Sequence, residues 1–242
     1  MKACLAVIDA RRDAHAIPDL PLQTIHDNVS ILQFQCRQLN AIENIDSLII
    51  ATTNRACDNE IATIAEAENI LCFRSDTSDT LGTLLHVANQ THARTLAYIS
   101  PTNPFCDPDV ISTCLARFQN NNCEYSRLAD NNLPSGFGAE ILSTKMLHQL
   151  GDQGLLTQEM RENVLDFIYQ RPDVFRACRP TITIDVNPPN HGVSINNEAD
   201  LEMLRAMYAT LQEREWPVDM EHVCKLLDEF SVLNSIITGL AS

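Results

Sequence analysis

Short apolar runs separated by helical stretches constrain the fold of the first half of this chain more than any other feature. Four runs are nearly continuous in apolar residues, at positions 3–8, 48–51, 70–73 and 96–99. Buried strands of a parallel sheet have this composition, because helices cover both faces of such a sheet. Strands that alternate with helices through residues 1–120 therefore predict a doubly wound, mostly parallel α/β sheet.

The helix predicted after the fourth run has the clearest start signal. Asp107 is suited to cap its N-terminus, and Pro108 fits the first turn. Its inner face repeats at helical spacing, at Ile111, Cys114, Leu115 and Phe118. The pair Asp107 and Asp109 also spells a D-x-D metal motif, but capping explains Asp107 better.

The alternation breaks after residue 120. Residues 123–128, 139–142 and 179–185 are predicted strands, and a helix is predicted to begin at Thr157. Asn197 and Asp200 resemble a capping box for a further helix. Residues from Pro217 to Leu240 predict two short amphipathic helices, whose apolar faces fit either packed core or a homodimer interface.

Charge excludes several classes of partner. The formal net charge is −15, and the lysines are Lys2, Lys145 and Lys225. Such a chain does not suit nucleic acid or an anionic membrane surface. No apolar run approaches the roughly 20 residues that span a bilayer, and the N-terminus does not resemble a signal peptide. We expect a soluble, cytoplasmic protein.

The nine cysteines form no C-x-x-C pair, and most have apolar neighbours. This pattern predicts buried free thiols in a reducing cytoplasm. No Cys/His spacing suits zinc. Cys106 precedes a helix N-terminus, where a lowered pKa would make it a nucleophile, but a buried structural thiol is the favoured interpretation.

The loop after the first strand lacks the groups that usually hold phosphate. The strand leads into Asp9, Ala10 and Arg11, as in a nucleotide-binding α/β domain, and a long loop follows. Residues 13–22 contain neither glycine nor lysine, and the first glycine of the chain is Gly82. Phosphate loops depend on close backbone N–H groups and usually on a lysine. The sequence thus begins with the strand and loop of a nucleotide-binding enzyme, but the loop lacks the usual phosphate-binding residues.

Several local strings occur in an order that resembles one known family. Ala10, Arg11 and Pro18 match parts of Q-A-R-M-G-S-T-R-L-P-G-K. Residues 73–74 with 79–82 match F-R-G and D-V-L-G, and further matches lie at 103–104, 107–108, 161–164, 197–208 and 223–237. Their order and spacing resemble the cytidylyltransferase branch of the nucleotide-diphospho-sugar transferases, and most closely its spore-coat polysaccharide type. Relatives of that type activate acidic sugars such as Kdo and sialic acids.

The resemblance implies a Rossmann-like α/β fold with a mostly parallel central sheet flanked by helices, a small β-arm and a C-terminal helical tail. Residues 1–242 would form one nucleotidyltransferase-like domain. Within it, residues 1–120 would be the nucleotide-binding half, 121–212 the sugar-binding or β-arm half, and 213–242 the tail.

The resemblance also implies site residues. The implied nucleotide-binding residues are Ala10, Arg11, Arg74, Asp79 and Asn103. The implied sugar-binding residues are Gly136, Glu140 and Arg161. Two of these have alternatives: Arg11 could be a surface arginine paired with a carboxylate, and Asp79 could cap the following helix.

The departures from the family pattern fall on its chemistry. The family's two metal-binding aspartates correspond to Thr102 and Asn196, and the loop lysine to Leu20. Carboxylates hold the Mg²⁺ that neutralises charge at the reacting phosphate. We therefore expect no resident cofactor, with Mg²⁺ bound only if the divergent site is active.

The sequence leaves two alternative functions open. One is a cytidylyltransferase-like protein of surface-polysaccharide biosynthesis with an impaired CTP·Mg²⁺ site. The other is a non-catalytic relative that keeps the fold for assembly or ligand binding. The expected partners are a nucleotide or nucleotide sugar and, as an open alternative, a second copy of the chain.

Overall fold

A mixed sheet forms the centre of the protein. The computed structural model describes residues 4–40, 42, 45–129, 134–181 and 192–240, with side chains described as far as residue 230. In the described residues the sheet has seven strands, and a separate hairpin pairs β2 with β3. The strands are β1 Cys4–Asp9, β2 Thr24–His26, β3 Val29–Ser30, β4 Ser47–Thr53, β5 Leu71–Ser75, β6 Thr95–Ile99, β7 Tyr125–Ser126, β8 Glu140–Ser143 and β9 Ala177–Cys178.

The order of the sheet is β5-β4-β1-β6-β8-β7-β9. Strands β5, β4, β1 and β6 run parallel. Strand β8 runs antiparallel to both β6 and β7, and β7 is parallel to β9. The direction therefore reverses beside β6, next to the parallel half that the apolar runs predict.

Helices cover both faces of this sheet. They are α1 Ile31–Leu39, α2 Asn59–Ala67, α3 Thr80–Thr91, α4 Pro108–Asn120, α5 Thr144–Asp152, α6 Gln158–Glu162, α7 Val164–Tyr169, α8 Glu198–Glu213 and α9 Met220–Leu240. Alternate residues of β1 enter different apolar clusters: Ala6 and Ile8 pack with α1, α2 and α4, whereas Leu5 and Val7 pack with α3 and α5. Because both faces are buried, the strand needs apolar residues throughout. The predicted fold class is confirmed.

Local capping follows the sequence signals. The Asp107 carboxylate accepts hydrogen bonds from the backbone N–H groups of Asp109, at 2.8 Å, and Val110. The four predicted inner residues of α4 are buried. Asn197 caps α8 by accepting from Asp200 N at 3.0 Å, and Thr157 caps α6. Capping is thus the observed role of Asp107, as the sequence favours.

Several predicted boundaries are wrong. The tail contains one helix, α9, in place of two short ones. The helix predicted to begin at Thr157 is divided at Asn163, where φ is −105° and ψ is 37°. The strand predicted at 123–128 is reduced to Tyr125–Ser126. In the strand predicted at 179–185, residues 179–181 are not strand and 182–185 lie outside the described residues.

The prediction of free, buried cysteines holds for five of the nine and is wrong for Cys57, Cys123 and Cys178, while Cys72 is free but only half-buried. Cys123 and Cys178 form a disulfide with Cα atoms 6.0 Å apart, and Cys57 is exposed. Burial raises the pKa of the Cys106 thiol to about 12, which favours the structural interpretation of Cys106 over a nucleophile. Within the described ranges, no helix combines the length and apolarity that a membrane span requires.

Candidate functional site

The carboxyl ends of β1, β4, β5 and β6 meet at one edge of the sheet, where open α/β sheets bind ligands. The loop after β1 begins with Ala10, which is buried and donates its N–H to Ala51 O at 2.9 Å. This backbone donor is therefore engaged within the sheet. The groups that this edge can offer to a ligand are therefore the side chains that follow Ala10.

Arg11 lies inside the protein at this edge. Its Nε and Nη2 atoms donate to the two carboxylate oxygens of Asp9 at 2.7 and 2.6 Å. Nη2 also donates to Thr80 Oγ1 at 2.9 Å, and Nη1 donates to Ser78 O. Only 3% of Arg11 is exposed, so the alternative of a surface arginine is wrong, although its pairing with a carboxylate is observed.

The electrostatics of Arg11 follow from this enclosure. Burial lowers the pKa of the guanidinium, but the hydrogen bonds and the charge of Asp9 outweigh it, so the net pKa lies above its usual value. Arg11 therefore remains charged and has its charge balanced by Asp9. A phosphate would have to compete with a carboxylate that is already in place.

Two other arginines of this region are also paired. Arg12 Nε donates to Asp19 at 2.6 Å, and Arg55 Nη1 donates to Asp13 at 2.6 Å. Hydrogen bonding from these arginines lowers the pKa values of Asp19 and Asp13, which keeps both carboxylates charged. The loop therefore presents arginines and aspartates together, and its positive charge is compensated locally.

Arg74 donates hydrogen bonds to a neighbouring turn. Its Nε donates to Thr53 O, its Nη2 to Arg55 O and its Nη1 to Asn59 Oδ1, each at 2.9 Å. The guanidinium thus joins the end of β4 to the start of α2. Its predicted role in nucleotide binding stays a prediction, and a phosphate there would have to share or replace these contacts.

Asp79 and Arg161 connect the two predicted sets of site residues. The Asp79 carboxylate accepts from Gly82 N at 2.7 Å at the start of α3, so the capping alternative is observed. Arg161 Nη2 lies 3.2 Å from the same carboxylate. One residue predicted for the nucleotide and one predicted for the sugar thus form an ion pair with each other.

A cavity of about 430 Å³ lies beside the end of β6. Its lining residues come from loops that follow β6 and β7 and precede β8 and α8, from the first residue of β8 and from helix α7. Five predicted positions line it: Thr102, Asn103, Gly136, Glu140 and Asn196. Ala10, Arg11, Arg74, Asp79 and Arg161 are not among its lining residues. The structure therefore brings together two of the three predicted sugar-binding residues, Asn103 and both expected metal positions, separately from Arg11, Arg74 and Arg161.

The two expected metal positions are neighbours. Thr102 O accepts from Ile195 N at 2.7 Å, which places Asn196 next in the chain beside Thr102. Thr102 Oγ1 is hydrogen-bonded with Ser100 Oγ at 2.7 Å, and Asn196 Nδ2 donates to Asp200 Oδ2 at 3.3 Å. Both side chains are neutral and already hydrogen-bonded, which does not fit Mg²⁺, a cation that prefers carboxylates.

The described residues provide no group of three or more His, Cys, Asp and Glu side chains arranged to hold a metal ion. The resemblance places the family's two metal-binding aspartates at Thr102 and Asn196, where both side chains are neutral. The side chains present at Thr102 and Asn196 therefore do not fit the Mg²⁺ that the resemblance implies.

Gln35 of α1 holds the turn that carries Thr102. It is fully buried, and its side-chain Nε2 donates to Ser100 O at 2.9 Å and to Asn103 O at 3.1 Å. Asn103 Oδ1 accepts in turn from Ser194 Oγ at 2.9 Å. These bonds fix one wall of the cavity mainly through backbone carbonyl groups.

A second part of the cavity wall contains charged residues that sequence reasoning missed. Arg127 and Asp166 both line the cavity, with an N–O distance of 3.6 Å. Arg127 also lies over the Tyr169 ring, 4.5 Å from its centroid. The available signal was the position of Arg127 near the end of a predicted strand, where side chains face a ligand edge. No comparable signal in the sequence indicated Asp166, which lies in the short helix α7.

Glu140 lies on this wall and accepts a hydrogen bond from Tyr125 Oη. Burial raises the pKa of the Glu140 carboxyl, although the Tyr125 bond opposes that shift. Gly136 forms the adjoining turn with a φ of +109°, and a Cβ there would lie 2.8 Å from Val193 Cγ2. Glycine is therefore required by both its dihedral angle and its close neighbour.

A parallel sheet with ligand loops at its carboxyl edge, extended by antiparallel strands around a cavity, defines a Rossmann-like protein of the nucleotidyltransferase class. The residue pattern then narrows this class. The chain belongs to the cytidylyltransferase family, whose family model matches residues 5–226. The resemblance inferred from the local strings is confirmed.

Individual relatives agree with this family. The chain is 22% identical over 217 residues to the spore coat polysaccharide biosynthesis protein SpsF of Bacillus subtilis (strain 168), which covers 88% of this chain and 90% of that protein. A cytidylyltransferase from Leptospira borgpetersenii serovar Hardjo-bovis (strain JB197) has a similar structure, with a TM-score of 0.82, 18% identity, and coverage of 98% of this chain and 97% of that one.

A CMP:2-keto-3-deoxy-manno-octonic acid synthetase complexed with CTP is also similar in structure. Its TM-score is 0.65, its identity 14%, and the match covers 86% of this chain and 99% of that one. These two structural likenesses establish a shared fold. The roles of individual residues in binding a nucleotide or a sugar stay predictions.

Proposed function

We propose that this chain acts in surface-polysaccharide biosynthesis as a cytidylyltransferase-family protein with an impaired CTP·Mg²⁺ site. The observation that carries the proposal is the contact between Thr102 O and Ile195 N, which sets neutral Thr102 and Asn196 beside the cavity. Cation binding at this point needs negatively charged oxygen ligands. The name of the SpsF relative supports the polysaccharide context.

The phosphate side supports the same proposal. Arg11, Arg12 and Arg55 each pair with an aspartate. Triphosphate binding normally relies on uncompensated positive charge and on glycine-rich backbone. The loop has balanced charge and no glycine between residues 13 and 22. A CTP molecule would gain little electrostatic attraction from it.

The cavity favours ligand binding without transfer as the second candidate. Its volume of about 430 Å³ lies within the usual range for small-molecule sites, and Arg127 and Asp166 supply charged groups of both signs at its wall. A protein without the metal site would lack nucleotidyl transfer but would keep the cavity. The bound molecule would be a nucleotide, a nucleotide sugar or the acidic sugar itself.

Calorimetry and a pyrophosphate-release assay test both candidates. The purified chain is titrated with CTP, CMP and a CMP-linked acidic sugar, each with and without Mg²⁺. We expect no Mg²⁺-dependent affinity for CTP and no pyrophosphate release with CTP and an acidic sugar. Micromolar CTP affinity that requires Mg²⁺ would overturn the impaired site, and sustained turnover would exclude the non-catalytic candidate.

A further inference from the structure

The disulfide joins the two strands at one end of the sheet. Cys123 precedes β7 and Cys178 ends β9, and the two residues are 55 positions apart in the chain. Their Cα separation of 6.0 Å lies within the range that a disulfide requires. The covalent bond therefore closes a long segment onto the sheet at its β9 edge.

Backbone hydrogen bonds and an ion pair between Arg176 and Glu124 also hold this edge. Strands β7 and β9 share two register pairs, Tyr125 with Ala177 and Ser126 with Cys178. Glu124 N donates to Arg176 O at 2.9 Å, and Arg127 N donates to Cys178 O at 3.3 Å. A two-residue strand pair contributes little stability by itself, so the covalent bond adds a restraint on β9 to these contacts.

The edge leads directly into the cavity. Residues Arg127, Leu128 and Ala129 follow β7, and all three line the cavity. Ala129 N donates to Pro180 O at 3.0 Å, just beyond Cys178. A restraint on the β7–β9 pair therefore acts on the same backbone that forms the cavity wall.

Four of the other seven cysteines are far less accessible than this pair. Cys4, Cys36, Cys106 and Cys114 are buried, and burial raises the pKa of each thiol to about 12. Thiols of that kind are poor nucleophiles at neutral pH. Cys123 and Cys178 are only half-buried, so a small thiol or disulfide has access to them.

We propose that Cys123 and Cys178 form a reversible thiol–disulfide switch that orders the cavity wall from Arg127 to Ala129. In the oxidising direction, one cysteine thiolate attacks a low-molecular-weight disulfide and releases one thiol, which leaves a mixed disulfide on the protein. The second cysteine attacks that bond, forms the Cys123–Cys178 disulfide and releases a second thiol. The two electrons lost by the cysteines reduce the small disulfide, and a dithiol reverses the process.

The test compares the full chain after incubation with oxidised glutathione and after incubation with dithiothreitol. Mass spectrometry of the alkylated protein measures free thiols, and peptide mapping locates the cross-link. Hydrogen exchange then measures the order of residues 123–129 in each state. We expect a Cys123–Cys178 cross-link, amide exchange about tenfold or more slower in that segment, and a melting temperature higher by about 5 °C or more.

Three single variants complete the design. Cys123→Ser and Cys178→Ser should each abolish the difference between the oxidised and reduced states. Cys57→Ser removes an exposed cysteine outside the pair and should retain the full difference. Failure of the wild-type chain to form this cross-link would overturn the proposal, as would a cross-link that leaves exchange of residues 123–129 unchanged. No ligand enters the measurement, so its outcome is independent of the proposed function.

Discussion

Asp9 and Arg11 form a two-point ion pair inside the protein, at the point where β1 meets its following loop. The two N–O distances are 2.7 and 2.6 Å, and both residues are almost fully buried. Tyr98 Oη lies 3.4 Å from the same carboxylate. A residue that the family pattern assigns to the nucleotide thus also holds the end of the first strand to the start of α3.

Arg11→Ala should destabilise the fold by about 3–5 kcal/mol, because it leaves Asp9 buried without its partner. Arg12→Ala is the matched control, since its pair with Asp19 is partly exposed, and it should cost about 1 kcal/mol or less. Urea unfolding measures both. Equal losses in the two variants would contradict a structural role for the Asp9–Arg11 pair.

The double variant Thr102→Asp with Asn196→Asp should bind Mg²⁺ weakly without pyrophosphate release. Two carboxylates would then face each other across the Thr102–Ile195 contact. The loop would still lack the groups that position a triphosphate, and a misplacement of about 1 Å can cost roughly a hundredfold in rate. Calorimetry and the pyrophosphate assay check the two halves separately.

The single variants provide the control for that experiment. Asn196→Asp alone should lower stability in the absence of metal, because Asp200 Oδ2 lies 3.3 Å from the Asn196 side chain and like charges repel at that distance. Mg²⁺ should restore the double variant more than either single one. Rapid turnover in the double variant would show that the loop composition does not limit catalysis.

Gly136→Ala should destabilise the protein by about 1–3 kcal/mol through backbone strain, with a further loss from the contact with Val193. Gly154→Ala separates these causes, because its φ is +61° but no atom lies within 4 Å of the added Cβ. Gly138→Ala meets Leu128 Cδ1 at 3.3 Å and should have the smallest effect. Thermal unfolding ranks the three, and a Gly154→Ala loss as large as that of Gly136→Ala would exclude the contact with Val193 as a cause.

Glu140→Gln should become relatively more stabilising as the pH rises. Burial raises the pKa of Glu140 in the folded state, so its contribution to stability is full below about pH 4.5 and declines as the pH passes through the raised folded value. Glutamine does not titrate. Urea unfolding at several pH values measures the difference from wild type, and Glu162→Gln, at an exposed position, is the control. A difference that is constant with pH would contradict the prediction.

The parallel half of the sheet could be predicted because its strands and helices bury whole faces. Apolar runs and helical spacing predict that burial directly, and the predicted inner residues of α4 are indeed buried. Helix α1 was missed, although Ser30 and Gln33 form a capping box in the structure. Its inner face includes the polar Gln35, which hides the amphipathic pattern.

The candidate site was less predictable, because it depends on contacts between distant residues. The family strings indicated Thr102 and Asn196, yet their proximity depends on a backbone bond that spacing alone does not show. The pairing of Cys123 with Cys178 depends in the same way on the order of β7 and β9. The partners of Arg11 include Ser78 and Thr80, which lie far from it in the sequence.

The bonds from Gln35 to Ser100 O and Asn103 O have an evolutionary consequence. Both acceptors are main-chain atoms, which every amino acid possesses, so these two bonds do not depend on which side chains the turn displays. Selection could therefore replace the side chain at position 102 without moving the chain that carries it. A turn whose path is held by one glutamine can therefore keep its architecture while the chemistry of its side chains changes.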